Sequence, residues 1–301
     1  MHNSIIVGAA LSSFRGLMLD RALDIYLKLS NDFGLKGVEV RFDKERERPS
    51  LWSWEADSKV KSFLANFETA GVHLPFIYLN PISANPGIEK ESVEQLKQSL
   101  QRAAELGAKY AVMHTRGEAP DLTFEEKFHK WEDVIRELAS YAKKNSILLT
   151  IENADFLRSL GDLTRMVRSV NSEWIGITLD IGHAHIRQVA PLSSYPINDL
   201  LLRVSDLLLP LSVIKKNMPY ETYGSLKKFV ASEGELIRVV HIHDYDGKKD
   251  HLPLGKGKIN FSLLSALRKA FKGPYILEIA LENPYHDFEA NYRQFVELME
   301  A

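Results

Sequence analysis

The stretch Arg238–Phe261, RVVHIHDYDGKKDHLPLGKGKINF, decides how the rest of the chain is read. Its first part, Val239-Val240-His241-Ile242-His243, is a short β-branched run that reads as a buried strand, and strand alternation puts His241 and His243 on one face. A polar turn from Asp244 to Asp250 follows, then His251. After Leu254-Gly255-Lys256-Gly257, Asn260 is placed to cap a helix starting near Phe261. Imidazoles and carboxylates held at the end of a strand supply the nitrogen and oxygen donors that a divalent metal needs. Taken alone, the same residues also read as a histidine-rich surface turn.

Outward from this unit the pattern repeats. Ile5–Gly8 is an apolar run, followed by a helical pattern from Leu19 to Leu29 that Gly34 closes. Gly37–Arg41 reads as a second strand. A helix from about Ser53 to Ala70 is expected to end at Gly71, with Val72–Ile77 as strand three. Helix Glu89–Leu106 ends at Gly107 before strand Tyr110–His114. Helix Thr123–Lys144 precedes strand Ile147–Glu152, and helix Leu160–Val170 precedes strand Ile175–Asp180. Strand seven is the opening stretch, followed by helix Phe261–Phe271. Strand Tyr275–Ile279 and helix Asp287–Glu300 complete the series. Strands alternating with helices mean a parallel α/β protein, and eight units in one chain favour a single (β/α)8 TIM barrel domain spanning 1–301. No Gly-x-Gly-x-x-Gly follows the first strand, which weighs against an open nucleotide-binding sheet. The strands recur about every 30 to 40 residues except between strands six and seven, where the spacing roughly doubles. This enlarged insertion, 186–237, carries helical patterns around Ile197–Leu208 and Tyr220–Ala231. It reads equally as a lid over the mouth or as packing against the barrel or a second subunit, so a homo-oligomer stays open.

Composition narrows the partners. The 301 residues are 45% hydrophobic and 26% charged, ordinary for a globular protein, and the net charge of −2 gives no general basic field for nucleic acid. With no cysteine, disulfides and thiolate metal sites are both excluded, so any metal rests on His, Asp and Glu. The opening MHNSIIVGAALSSFRG lacks the basic and apolar segments of a signal peptide, and no apolar run is long enough to span a bilayer. The expected location is cytoplasmic, without membrane contact.

The polar residues then fall into a pattern. His73, His114, Glu152, Asp180, His241 and Glu278 each lie in or at the carboxyl end of an expected strand, and in a barrel those ends converge on one face. His183 and His185 follow Asp180 toward the same mouth. A lone acid at a strand end is usually an ion-pair or turn residue; six such ends together point to a metal site. Glu152, Asp180 and Glu278 with His241 form an oxygen-rich set suited to Mn2+, Mg2+ or Co2+ as well as Zn2+.

At this point the whole chain resembles the xylose isomerase-like TIM barrels, a superfamily uniting sugar isomerases and epimerases with nucleases of the endonuclease IV type. The resemblance is carried by VHLPF at His73, AVMHTRG at His114, TIEN at Glu152, TLDIGHAH at Asp180 and His183, HIHDYDGKKDHLPLGKG, and ILEI at Glu278. For the epimerase branch it implies one metal held by Glu152, Asp180, His241 and Glu278. Glu152 and Glu278 would then be catalytic, exchanging a proton beside a metal-polarised ketose carbonyl, with His183 bonding the substrate. For the endonuclease IV branch it implies a three-zinc constellation adding His73, His114, His183 and His251. That pattern also needs an Asp two residues before His251, where this chain has Lys249; Asp250 or Asp246 is the candidate replacement. The leading expectation is a metal-dependent isomerase or epimerase acting on a small-molecule sugar. A metal-dependent phosphodiesterase acting at abasic sites in DNA is the alternative, and a non-catalytic sugar-binding barrel a third.

Smaller expectations complete the reading. Arg116 is a candidate for phosphate or sugar binding, against an exposed ion pair. Trp52 and Trp54 are candidates for stacking on a sugar ring, against packing at a helix start. His243 is read as a core residue or a partner behind the ligands, His129 and His286 as surface residues, and Lys227-Lys228 and Lys248-Lys249 as solvated pairs.

Overall fold

A computed structural model describes residues 6–14, 16–43, 57–189 and 223–300. Trp52, Trp54 and the expected helix around Ile197–Leu208 lie outside the described residues.

The eight expected strands are all present: β1 (Ile6–Ala10), β2 (Gly37–Arg41), β3 (Thr69–His73), β4 (Tyr110–Met113), β5 (Leu148–Glu152), β6 (Ile175–Asp180), β7 (Ile237–Ile242) and β8 (Pro274–Leu277). Each pairs in parallel with its neighbours, and β8 returns to β1 to close the barrel. The register shifts once, between Ile177 and Thr178 where β6 meets β7. Around the barrel lie α1 (Leu19–Phe33), α2 (Asp57–Leu64), α3 (Pro86–Glu105), α4 (Phe124–Lys144), α5 (Leu160–Val170), α6 (Ile181–Val189), α7 (Tyr223–Glu233), α8 (Leu263–Ala270) and α9 (Pro284–Glu300). Among the described residues, no helix is long and apolar enough to cross a membrane.

Local chemistry sets most of these boundaries. Thr123 and Glu126 form a reciprocal capping box at the start of α4, and Asn85 accepts from Gly87 N and Ile88 N at the start of α3. Gly34 ends α1 with φ of 66°, a left-handed turn that glycine adopts freely. One boundary differs from expectation. The helix expected to run to Ala70 is shorter, and Gly71 lies inside β3 rather than at a helix end. Its demand comes from the neighbouring strand: a Cβ on Gly71 would stand 2.1 Å from the ring of Tyr110, its register partner on β4.

Two cores result. A large one, containing Trp131, Phe128, Phe288 and Phe295, fills the space between barrel and helices. A small one inside the barrel joins Ala10, Tyr110, Val112, Val239 and Ile276. Stepping two residues along each strand from this plug leads to His114, His241 and Glu278. The alternation that fills the barrel therefore also carries the ionisable residues to its carboxyl end.

Candidate metal centre

Glu152, at the end of β5, is the middle of the site. It is fully buried, and four imidazoles reach it: His183 Nδ1 at 2.7 Å from Oε1, and His114 Nε2 at 3.1 Å, His241 Nδ1 at 3.6 Å and His73 Nε2 at 3.7 Å from Oε2. His241 Nδ1 also lies 3.2 Å from Glu278 and 4.0 Å from Asp180. Donor atoms within mutual reach form four groups among the described residues: His73, His114 and Glu152; Glu152, Asp180 and His183; Asp180, His241 and Glu278; and His183, His243 and His251. All eight ligand candidates taken from the sequence are brought together. Asp246 and Asp250, the candidates for the position Lys249 fails to fill, stand in none of these groups. Asp246 Oδ1 accepts from Lys248 N and Lys249 N within its own turn, and Asp250 lies 3.4 Å from His251 Nδ1. His243, read from the sequence as a core residue or a partner behind the ligands, stands beside His183 and His251, with Nε2 3.1 Å from Asp180.

Residues behind the ligands orient them. His241 Nε2 lies 3.0 Å from Glu39, which also accepts from the Tyr110 hydroxyl at 3.2 Å. A proton on Nε2 bonds the carboxylate and leaves Nδ1 facing Glu152 and Glu278 as a lone pair. Asp155 holds His114 in the same way, 2.8 Å from Nδ1, so that Nε2 faces Glu152. His73 Nδ1 lies 3.1 Å from the Leu74 carbonyl; a carbonyl only accepts, so Nδ1 carries the proton and Nε2 is free. Asn153 bonds the backbone of Asp180 twice, its Oδ1 accepting from the Asp180 amide and its amide donating to the Asp180 carbonyl. Sequence reasoning missed Glu39, Asn153 and Asp155. The Asn153 signal was available in TIEN; Glu39 and Asp155 have no local signature.

The electrostatics agree with a cation site. Burial alone raises the Glu152 carboxyl, but the charge of His114, its bond to Glu152 and the close approach of the His183 and His73 imidazoles hold it well below the ordinary range. Burial lowers His241, yet the Glu39 charge, the nearby Glu278 carboxylate and the bond to Glu39 hold it well above its ordinary value. His114 is pushed up to about 10, with burial opposing and the Glu152 charge and the Asp155 bond prevailing. Positive charge is thus demanded among buried carboxylates, and imidazole protons supply it where divalent ions can. Glu152 Oε1, Asp180 Oδ2, His183 Nδ1, His241 Nδ1 and His243 Nε2 are buried without an aligned hydrogen-bond partner. Convergent buried donors of this kind fit metal ligation.

The loop after β7 is built to present His251. Asp244 is buried; its Oδ1 accepts from Tyr245 N and Ile259 N, and its Oδ2 from Gly257 N. Gly257 approaches so closely that a Cβ there would stand 2.2 Å from Asp244 Oδ1. Asp244 also bridges to Leu252, and His251 adopts φ of 52°, an uncommon left-handed conformation for a side chain of its size. Asn260 does not cap the helix as expected: α8 starts later, at Leu263 with Ser262 as its N-cap, and Asn260 accepts from Ser262 N in the turn before it.

Beside the cluster, Phe76 stacks on His114 with ring centres 4.3 Å apart. The guanidinium carbons of Arg41 and Arg116 lie 5.6 Å and 5.7 Å from the Phe76 ring centre. Arg116 is exposed there; Arg41 is buried and pairs with Asp43 at 3.1 Å. A small cavity lined by Ser12, Glu39, Arg41, His73 and Glu278 opens at this point. His185 is half-buried and stands in none of the four groups, while His129 and His286 are on the surface as expected.

The sequence profile of the xylose isomerase-like TIM barrel family matches residues 27–301. Among curated proteins, the chain is 26% identical over 224 residues to an uncharacterized protein of Methanocaldococcus jannaschii, covering 70% of this chain and 63% of that protein. The chain thus spans less than two thirds of that relative's length. It is 25% identical over 226 residues to a probable endonuclease 4 of Mycobacterium leprae, covering 72% of this chain and 75% of the relative. Among solved structures, a D-tagatose 3-epimerase-like protein aligns with a TM-score of 0.68 and 21% identity over 98% of each chain, a likeness of fold.

Proposed function

The chain belongs to the xylose isomerase-like TIM barrel family, and from that premise we propose that it is a metal-dependent phosphodiester hydrolase with a multinuclear centre. The abasic site of duplex DNA is the first substrate to test. One observation carries this reading: both oxygens of Glu152 are engaged by imidazoles, His183 on one and His114, His73 and His241 on the other. That is how a carboxylate shared between metal ions is surrounded, and it leaves neither oxygen free to move a carbon-bound proton. Sequence reasoning put the isomerase first; the crowding of Glu152 is what supports placing the hydrolase ahead of it here.

His73, His114 and Glu152 would hold one ion, and Asp180, His241 and Glu278 another, with Glu152 between them. Ions bound there supply Lewis acidity and positive charge to the oxygens of a phosphoryl group. The chain's own residues do the rest. Arg116 and Arg41, flanking Phe76, offer guanidinium donors for phosphate oxygens beside the cluster. Glu278 has an edge on the cavity and would accept a proton from water attacking a phosphorus seated there, while the P–O bond to the leaving sugar oxygen breaks and that oxygen takes a proton from solvent. Asp155 and Glu39 keep His114 and His241 in orientation.

A second reading, sugar epimerisation, is favoured by one specific feature. His241 Nδ1 lies within 4.0 Å of Glu152, Asp180 and Glu278, so the four-residue set of a single-metal epimerase is also within reach. The deciding assay is cleavage of an abasic-site duplex with zinc, manganese and cobalt supplied separately, beside a panel of ketoses. Cleavage that falls at least about a hundredfold in Glu152→Gln is expected. Absence of cleavage with every metal, together with turnover of a ketose, would establish the epimerase instead.

A further inference from the structure

We infer that Asp43 is a positioning residue for the substrate side of the centre: one carboxylate oxygen sets Arg41 at the cavity, and the other fixes the backbone that lays Phe76 against His114. The group it serves is a phosphate. The inference rests on the reading above for the place of that phosphate beside the cluster.

The contacts begin where the ladder between β2 and β3 stops. Arg41 is paired with His73, and the Phe42 amide donates to the His73 carbonyl at 3.1 Å. Past this point, Phe76 N and Ile77 N lie outside the ladder and need acceptors from elsewhere. Asp43 supplies one through its side chain, with Oδ1 accepting from Phe76 N at 3.0 Å and from Ile77 N at 2.9 Å. Its Oδ2 accepts from the Arg41 guanidinium at 3.1 Å. Asp43 and Arg41 are both buried, where a charge separated from its partner costs far more than at the surface. The pair is therefore held to one geometry.

What Asp43 holds on each side borders the place where a substrate would sit. Arg41 lines the cavity together with Ser12, His73 and Glu278. The Phe76 ring stacks on His114 at 4.3 Å and 10°, and stands 5.4 Å from the His73 ring. The Arg41 guanidinium carbon lies 5.6 Å from the centre of the same Phe76 ring. Arg41, Phe76 and the two histidines form one wall, and Asp43 is bonded to both Arg41 and the Phe76 backbone. An aspartate that only capped a turn would not need Arg41. One that only neutralised an arginine would not need two amides of another loop.

A guanidinium recognises phosphate through the direction of its fork, and a fixed carboxylate on one amino group limits the directions the rest can take. A phosphodiester and a phosphorylated sugar both present this chemistry, and Asp43 acts on the phosphate of either.

The test is the Kd of inorganic phosphate for the zinc-loaded full chain, measured by calorimetry, with metal content and circular dichroism read on the same samples. Asp43→Asn keeps an oxygen for the two amides and loses the grip on Arg41. It should weaken phosphate binding about tenfold at unchanged metal content. Arg41→Gln should weaken it at least as much, and adding Asp43→Asn to Arg41→Gln should weaken it no further, because Asp43 acts through Arg41. The double variant leaves no buried charge unpaired, so it also covers a single variant that fails to fold; wild-type phosphate affinity in it overturns the inference. With an abasic-site duplex the loss in Asp43→Asn should fall mainly on KM, a split that general loosening of the fold does not produce.

Unchanged phosphate binding in Asp43→Asn overturns the inference, and so does tighter binding, which would make the carboxylate a competitor for Arg41. A full further loss on adding Asp43→Asn to Arg41→Gln overturns it too, as does a wild type that does not bind phosphate. Weaker phosphate binding in Asp43→Asn without duplex cleavage by the wild type keeps the role of Asp43 and removes the hydrolase reading. Turnover of a phosphorylated ketose would then identify a sugar as the source of the phosphate. Duplex cleavage with unchanged phosphate binding in Asp43→Asn does the reverse.

Discussion

Glu39 shows what a single residue contributes here and why its part was hidden. In the sequence it is one polar position in Gly-Val-Glu-Val-Arg, indistinguishable from a solvent-facing strand residue. Its meaning is set by His241, 202 positions away, which it meets at 3.0 Å inside the closed barrel. Glu152, Asp180, His241 and Glu278 were legible because each ends a strand, and that position is visible in the pattern of apolar runs. His243 was legible in placement, as a residue on the same strand face as His241, and its approach to Asp180 at 3.1 Å was not, because Asp180 lies on another strand. The support given by Glu39 has a measurable size. Removing an outer carboxylate behind a ligating histidine weakens metal binding roughly 10- to 100-fold. Glu39→Gln, which keeps an acceptor and loses the charge, should fall near the lower end; Glu39→Ala should fall near the upper end. Tyr110→Phe, which takes away only a hydroxyl donated to Glu39, should have a smaller effect than either. Competition with a chromophoric chelator reads all three, and equal affinity in Glu39→Ala and wild type would remove Glu39 from the site.

At the scale of elements, boundaries set by local chemistry were readable and those set by distant packing were not. Gly34, Gly107 and the Thr123 capping box act on neighbours a few residues away, so they announce helix ends directly. Gly71 looked like another helix stop. Its true constraint is the Tyr110 ring on β4, which fills the space a Cβ would take. The two kinds of boundary predict different mutants. Gly71→Ala forces the Tyr110 ring to move and should cost about 1–3 kcal/mol, as overpacking does. Because that ring carries the hydroxyl that bonds Glu39, the variant should also bind metal more weakly. Thr123→Ala removes a cap of α4, which carries none of the ligand candidates, and should cost about 1 kcal/mol while leaving metal affinity alone. Urea midpoints and metal titrations on both variants separate the cases; a Gly71→Ala protein as stable as wild type is incompatible with the close approach.

For the molecule as a whole, the readable feature was repetition: eight strand–helix units imply a closed barrel, and closure alone brings the ligand candidates together. His73, Glu152, Asp180 and His241 lie on β3, β5, β6 and β7, His183 on α6, and His114, His243, His251 and Glu278 in the segments after β4, β7 and β8. An unfolded chain offers no such set, apart from the few histidines of Arg238–Phe261. Bound metal therefore stabilises the folded state almost alone, by about 2.7 kcal/mol for each ion present at a hundred times its Kd. For a chain of this size that corresponds to a rise in Tm of roughly 4 °C per ion. Dialysis against a chelator should lower Tm by at least that amount, and returning zinc should restore it. The shift should shrink sharply in Glu152→Gln, because Glu152 belongs to two of the four ligand groups, and much less in His129→Asn, which alters a surface histidine. The unfolding transition should stay single throughout, since the ligands tie β3 through β8 into one cooperative unit. A metal-loaded protein whose Tm ignores the chelator, or a chelator effect equal in wild type and Glu152→Gln, would place the bound metal outside the mouth of the barrel.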